Sequence, residues 1–168
     1  MITSMTDVQF RPATATDIPA IVAFGEKVIP QHYAPILGEK AARAQLDWWT
    51  SERFGAAIAA GRVQVATAEE ELLGVVETGT VAGEQVVWKL YVTPSARGNG
   101  LGVKLIDLAI SSLPDKTDRL LTEHFAGNTE AARFYEREGF TIISTDTNLA
   151  NPNASVVWRC RELPAPTI

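Results

Sequence analysis

The spacing of apolar residues along this chain switches between helical and alternating, and each switch marks a different kind of element. Val8 to Arg11 reads as a short strand. Thr14 and Asp17 have capping-box spacing and open a helix through about Phe24. Pro30 and Pro35 then break or offset the pattern between Val28 and Leu37, which reads as a loop. Helical spacing returns at Glu39 to Trp48 and at Ser51 to Ala60, where Gly61 supplies a C-terminal stop.

Alternation takes over in VQVATA (63–68), LLGVVETGTV (72–81) and EQVVWKLYV (84–92). The acidic run Glu69 to Glu71 and Gly83 join them by links too short for crossover helices, so the three form an antiparallel meander. Between Gly100 and Leu113, residues Leu101, Leu105, Leu108 and Ala109, widened by Val103, Ile106 and Ile110, draw a broad apolar helix face closed by Pro114. A strand at Arg119 to Phe125, a helix at Thr129 to Glu138 stopped by Gly139, and strands at 140–144 and 156–160 complete the order. The fold class is α+β: a mixed, mostly antiparallel sheet of about six or seven strands with about four helices packed on it. One domain is expected over residues 1–168, with its core at about 8–162 and a frayed tail from Pro164.

Composition narrows the function. Fifteen Lys and Arg against 20 Asp and Glu give a net charge of -5, which argues against charge-driven nucleic-acid binding. Cys160 is the one cysteine, and His32 and His124 lie far apart, so no disulfide and no metal site is expected. Neither a signal peptide nor a run of eighteen apolar residues is visible, which makes the cytoplasm the expected compartment and a membrane an unexpected partner.

The chemistry starts with RGNGLG, Arg97 to Gly102. It follows a strand stopped by Pro94 and runs into the amphipathic helix. A helix start offers unpaired N–H groups and a partial positive field; glycines leave those groups uncovered and allow a tight nest, and Arg97 adds a charged donor. That combination is a cradle for phosphate oxygens. It is not a nucleotide P-loop, because no Gly-Lys-Ser/Thr follows, nor the dinucleotide fingerprint, because glycines 98, 100 and 102 are spaced G-x-G-x-G behind an antiparallel meander. A glycine-rich turn needed for geometry alone is the competing reading. The second segment is NTEAARFYEREGF, Asn128 to Phe140, a short helix whose alanines permit close approach and whose Tyr135 can set its ring in the core and its hydroxyl in a cleft.

Together these segments resemble the GCN5-related N-acetyltransferase (GNAT) family. Arg97, Gly100 and Gly102 meet the family's Arg/Gln-x-x-Gly-x-Gly/Ala signature, Leu90-Tyr91-Val92 with Pro94 fits the strand ahead of it, and NTEAARFYEREGF resembles the second conserved segment. The resemblance implies acetyl-CoA as donor, with its pyrophosphate on the amides of Gly98, Asn99, Gly100, Leu101 and Gly102. It places the pantetheine arm along Leu90, Tyr91 and Val92, with Asn128 bonded to it and Ala131 beside it. It also implies a V-shaped splay between the strands at 84–92 and 119–125.

Direct transfer to an amine needs a proton acceptor, a polarised carbonyl and a protonated leaving thiol. The resemblance makes Tyr135 the general acid and a backbone N–H near Val92 the carbonyl's donor. Ribosomal-protein alanine acetyltransferases are similar around Glu123, with a glutamate base at the matching position. Glu77, Glu84 or water are the alternatives. Strand alternation sends His124 to the face opposite Glu123. His32 is a further acceptor contact to consider; Tyr33, Trp48 and Trp49 are possible acceptor walls, with core or dimer packing favoured for the tryptophans. Trp88 and Trp158 read as sheet packing. The acceptor is expected to be a small-molecule amine or a protein N-terminus, and the chain a possible homodimer. A non-catalytic acyl-CoA-binding or sensor module on the same fold is the alternative function.

Overall fold

The structure is a computed structural model describing residues 7–164. The first strand, β1 (Gln9–Pro12), precedes three helices, α1 (Ile18–Leu37), α2 (Glu39–Ala44) and α3 (Ser51–Ala59). The meander is β2 (Val63–Ala68), β3 (Glu71–Val81) and β4 (Glu84–Val92). Then come α4 (Leu101–Ser111), β5 (Arg119–Phe125), α5 (Thr129–Arg137), β6 (Thr141–Asp146) and β7 (Val156–Glu162). All seven strands join one sheet in the order β1-β2-β3-β4-β5-β7-β6. Every neighbouring pair is antiparallel except β4 and β5. The mixed, mostly antiparallel α+β architecture read from the sequence is therefore observed, with the helix expected at Glu39 to Trp48 divided into α2 and a 3-10 turn at Gln45–Trp48. The expected frayed tail falls, beyond Pro164, outside the described residues.

Each face of the sheet carries its own core. Ile21, Val28, Ile29 and Tyr33 of α1 and Phe54 of α3 pack on Val63, Val65 and Val75. On the other face, Leu101, Leu105, Ile106 and Ala109 of α4 and Tyr135 of α5 pack on Ala66, Val76, Val87 and Leu120. Burying a side chain of this size stabilises the fold by about 1.5–3 kcal/mol. The broad apolar face seen in the sequence of α4 is the one that supplies the second core.

One expectation about α1 fails. Pro30 and Pro35 lie inside a continuous 20-residue helix rather than in a loop. Each proline withholds an N–H from the carbonyl four residues earlier, at Glu26 and Gln31. Both of those residues are exposed, as is Pro35, so the freed carbonyls face water. The opposite face, with Val28, Ile29 and Tyr33, stays buried and holds the helix together. The helix also begins later than the sequence suggests. Ala15–Asp17 forms a 3-10 turn in which Thr14 N–H donates to Asp17 Oδ2 at 2.7 Å, and α1 starts only at Ile18.

Candidate active site

The site begins with one extra residue in β4. Val87 pairs with Thr78 and Lys89 with Glu77, so Trp88 has no partner on β3 and forms a bulge. The bulge reverses the alternation. Val86 and Val87 keep their places over the sheet, but beyond Trp88 it is Lys89 and Tyr91 that face α1 and α3, while Leu90 and Val92 face α4. At the same point the pairing with β5 ends. Only Gln85, Val86 and Val87 are matched with Leu120, Leu121 and Thr122. The two strands diverge from there, giving the splay expected from the resemblance, and the β4 edge from Trp88 to Val92 has no strand partner. Trp88 is thus not simple sheet packing. Its indole lies against Gly79, where a Cβ would fall 2.5 Å from the ring nitrogen, and meets Trp158 with ring centroids 6.2 Å apart.

A groove of about 170 Å³ opens on the α4/α5 side of the V, lined by Leu90, Tyr91, Val92, Asn128, Ala131 and Tyr135, with Arg97, Gly102 and His32 at its rim. The glycine run lies at its end. Gly98 and Gly100 have φ of 82° and 78°, and Gly100 caps α4 in the left-handed region, which a side chain adopts only with strain. Ala96 N–H and Arg97 N–H bond back to Thr93 and Pro94, and Lys104 N–H reaches Gly100. The six amides between, 98 to 103, have no protein acceptor among the described residues. That free run at a helix N-terminus is what an anionic pyrophosphate requires. The Leu101 side chain is core, so only its amide is available. Asn99 Nδ2 donates to Ala96 O at 3.2 Å, and Arg97 Nε donates to Val92 O at 3.3 Å, with its guanidinium 3.5 Å from Glu130.

Tyr135 stands where the V closes. It is buried between Phe134 and Phe140, and burial pushes its hydroxyl up to about 12. A hydrogen bond with the Thr122 hydroxyl opposes that rise, and Thr122 itself donates to Val87 O at 3.2 Å. Asn128 lines the groove and is bonded within the chain. Its Oδ1 caps α5 by accepting from Ala131 N–H at 3.2 Å, and its Nδ2 lies 3.2 Å from His32 Nε2. Burial, then the charge of Arg97, lowers the His32 pKa, which favours the neutral ring that can accept that bond. His32 therefore borders the α4/α5 groove rather than the acceptor side. His124 is directed away from Glu123. Its ring stacks on Tyr135, its Nδ1 lies 2.9 Å from Phe125 O, and its Nε2 accepts from Arg159 Nε at 2.9 Å.

A second cavity, about 550 Å³, opens on the α1/α3 side of the V. Tyr91 lines both cavities, and its hydroxyl is bonded to that of Tyr33. Glu123 enters from β5, half-buried, with no hydrogen bond or ion pair among the described residues. Burial raises its pKa, and Asp146 adds to the rise. Glu77 lines the same cavity but is committed. Lys89 Nζ donates to its Oε1 at 3.0 Å, and Arg62 lies 3.9 Å from Oε2. Glu84 is outside the site, paired with Arg119 at 2.6 Å. Trp49 is both core and wall, while exposed Trp48 stacks under Arg53 at 4.5 Å. Sequence reasoning missed Arg53, Arg62 and Lys89, which come from α3, the link after it and β4 and carry no local motif. No group of three or more metal-ligating side chains occurs among the described residues, and none of their helices is long and apolar enough to cross a membrane.

The Glu77–Lys89 pair is a structural element with a measurable cost. Burial is the main cause lowering the Lys89 pKa, and Glu77 opposes it. Glu77→Gln is expected to destabilise the fold by about 3 kcal/mol, read from the denaturant midpoint, because it leaves a buried ammonium without its partner. A double Glu77→Leu, Lys89→Leu variant should recover most of that loss.

The same architecture occurs in known proteins. The family described as acetyltransferase (GNAT) domain matches residues 59–142, half of the chain. The chain belongs to this family. Mycothiol acetyltransferase of Mycobacterium leprae is 41% identical over 70 residues, 38% of this chain. The match spans only 22% of that relative's length. Among solved structures, the PaiA N-acetyltransferase of Thermoplasma acidophilum, in complex with coenzyme A, superposes with a TM-score of 0.76 at 16% identity, covering 93% of this chain and 99% of that one. The ribosomal-protein-S18-alanine N-acetyltransferase of Escherichia coli does so at 0.70 and 18%, covering 95% and 96%.

Proposed function

We propose that this chain transfers an acetyl group from acetyl-CoA directly to a primary amine, with Glu123 taking the amine's proton and Tyr135 protonating the departing sulfur. The observation that carries the reading is the continuity of one groove: an unpaired β4 edge, six free amides at the start of α4, and Tyr135 where the V closes. The amides of 98 to 103 and Arg97 hold the pyrophosphate, and the edge of Leu90 to Val92 holds the pantetheine arm. Bound acetyl-CoA supplies a thioester whose C–S bond breaks as the C–N bond forms. The rest is done by the chain. The amine enters neutral, and Glu123, directly or through a water, takes the proton that its nitrogen sheds as the C–N bond forms. A free N–H near Val92 stabilises negative charge on the carbonyl oxygen. Tyr135, held protonated by burial, gives its proton to sulfur. The products are an acetamide and CoA, with one proton gained by Glu123 and one lost by Tyr135. Glu123 is favoured over Glu77 because its carboxylate is free whereas that of Glu77 is bonded to Lys89.

Calorimetric titration with acetyl-CoA and with CoA tests the donor site. The protein should bind both, and Gly100→Val should bind about tenfold more weakly, because a β-branched residue at φ 78° pulls the amides out of register. Absence of binding by the folded protein would mean the glycine run is only a turn.

A further inference from the structure

Asn128 settles the tautomer of His32. The Ala131 N–H needs an acceptor, so the Asn128 amide turns Oδ1 toward it at 3.2 Å, and the group 3.2 Å from His32 Nε2 is Nδ2. An amide NH2 has two hydrogens to give and accepts nothing, so Nε2 is the bare nitrogen and Nδ1 carries the hydrogen. A ring protonated on both nitrogens would set an N–H against the NH2 and lose the bond. The second Nδ2 hydrogen of Asn128 has no acceptor among the described residues, and its side chain lines the α4/α5 groove.

The bond also spans the V. α1 packs on the β2 and β3 valines of the opposite face, yet His32 reaches the groove. Tyr33, the next residue, bonds Tyr91 of β4, and the His32 ring stands edge-on to both tyrosines, with centroids 4.8 and 6.3 Å away. Asn128 caps α5 on the other arm. Where β4 and β5 no longer pair, side chains therefore join the arms: His32 to Asn128, and at the rim Arg97 to Glu130 at 3.5 Å. We propose that His32 is a positioning residue of the donor site. In its Nδ1–H form it ties Asn128 to α1 and β4, and so holds the remaining Nδ2 hydrogen for an amide carbonyl of the pantetheine arm along Leu90 to Val92. This role rests on the acetyl-transfer reading above and adds a residue that acts on the donor through Asn128.

The titratable groups facing His32 are Tyr33 of its own helix, Tyr91 of β4, Arg97 before α4 and Glu130 of α5, with Tyr135 lining the same groove. Burial and then Arg97 lower the His32 pKa, and Glu130 opposes them. The tie therefore holds at neutral pH and is lost as pH falls through a range below that of an ordinary histidine.

Nitrogen-15 NMR of the imidazoles, with His32 assigned by its absence in His32→Gln, should show Nδ1 protonated and Nε2 bare at neutral pH. The other tautomer overturns the proposal. His32→Leu should raise both Kd and KM for acetyl-CoA about fivefold to tenfold, with kcat changed less than about twofold, because one orienting hydrogen bond is gone. His32→Gln, whose oxygen accepts the same bond without titrating, should recover most of that loss. Pantetheine, which carries no phosphate, separates the tie from a contact to the pyrophosphate. Its affinity for the unmodified protein, read by calorimetry, should fall as pH drops through the His32 range, and His32→Gln should lack that fall. Affinity that rises or stays level overturns the tie, as does a Gln variant no better than Leu or a Leu variant that lowers kcat instead. If acetyl-CoA binds and the His32 variants match the unmodified protein, only this role fails. If acetyl-CoA does not bind at all, the acetyl-transfer reading fails and this role with it.

Discussion

Tyr135→Phe is expected to lower kcat by about 10²–10³-fold while changing acetyl-CoA affinity less than about twofold. The variant removes one oxygen and keeps the ring. That ring packs against Phe134, Phe140 and His124, so the fold and the groove wall survive. The lost group is an acid whose pKa is pushed up to about 12 by burial. A hydroxyl so held remains protonated through the whole working range, which suits it to protonate a thiolate and unsuits it to act as a base. No alkaline limb from Tyr135 should therefore appear below about pH 10. Single-turnover rates and calorimetry on the same preparation separate the two quantities. Unchanged turnover would remove Tyr135 from the chemistry and favour a binding module on this fold.

Glu123→Gln is expected to lower kcat/KM by about 10²-fold at neutral pH. The change keeps the shape and breaks no hydrogen bond or ion pair among the described residues, so stability should move little. The pH dependence is the sharper readout. Burial, with Asp146 adding to it, raises the Glu123 pKa, because the charged form loses water and gains a like-charged neighbour. The base is active when deprotonated. The acid limb of kcat/KM should thus lie above the ordinary glutamate range, with activity falling as pH drops through it, and should vanish in Glu123→Gln. An acid limb that persists in the variant would assign it to another group. Asp146→Asn should move the limb down in pH, since it removes the like charge.

The donor side of the site was largely legible in the sequence, and the acceptor side was not. RGNGLG and NTEAARFYEREGF are local. Their meaning depends on a helix start, on left-handed backbone and on residues a turn apart, all of which neighbours in sequence decide. Glu123 stood out because a carboxylate in an apolar strand needs a reason. Pro30 and Pro35 misled, because a local rule about missing donors ignored the side on which the freed carbonyls would fall. His32 and Tyr33 moved with them from a loop to a helix, and His32 came to rest against the donor groove.

Three things were decided by tertiary structure alone. Trp88 became a bulge because β3 pairs around it, and only the register between two strands can create an unpaired residue. The cationic end of the larger cavity gathers Arg53, Arg62 and Lys89 from distant stretches, and charge at that spacing has no sequence signature. Which of Glu77 and Glu123 is left without a cation turned on contact, since Lys89 reaches only Glu77. The sequence by itself determined the order of elements, the fold class and the glycine-rich start of α4, because these follow from periodicity and backbone conformation. Packing determined the walls and charges of the larger cavity, because those depend on which side chains meet across the sheet.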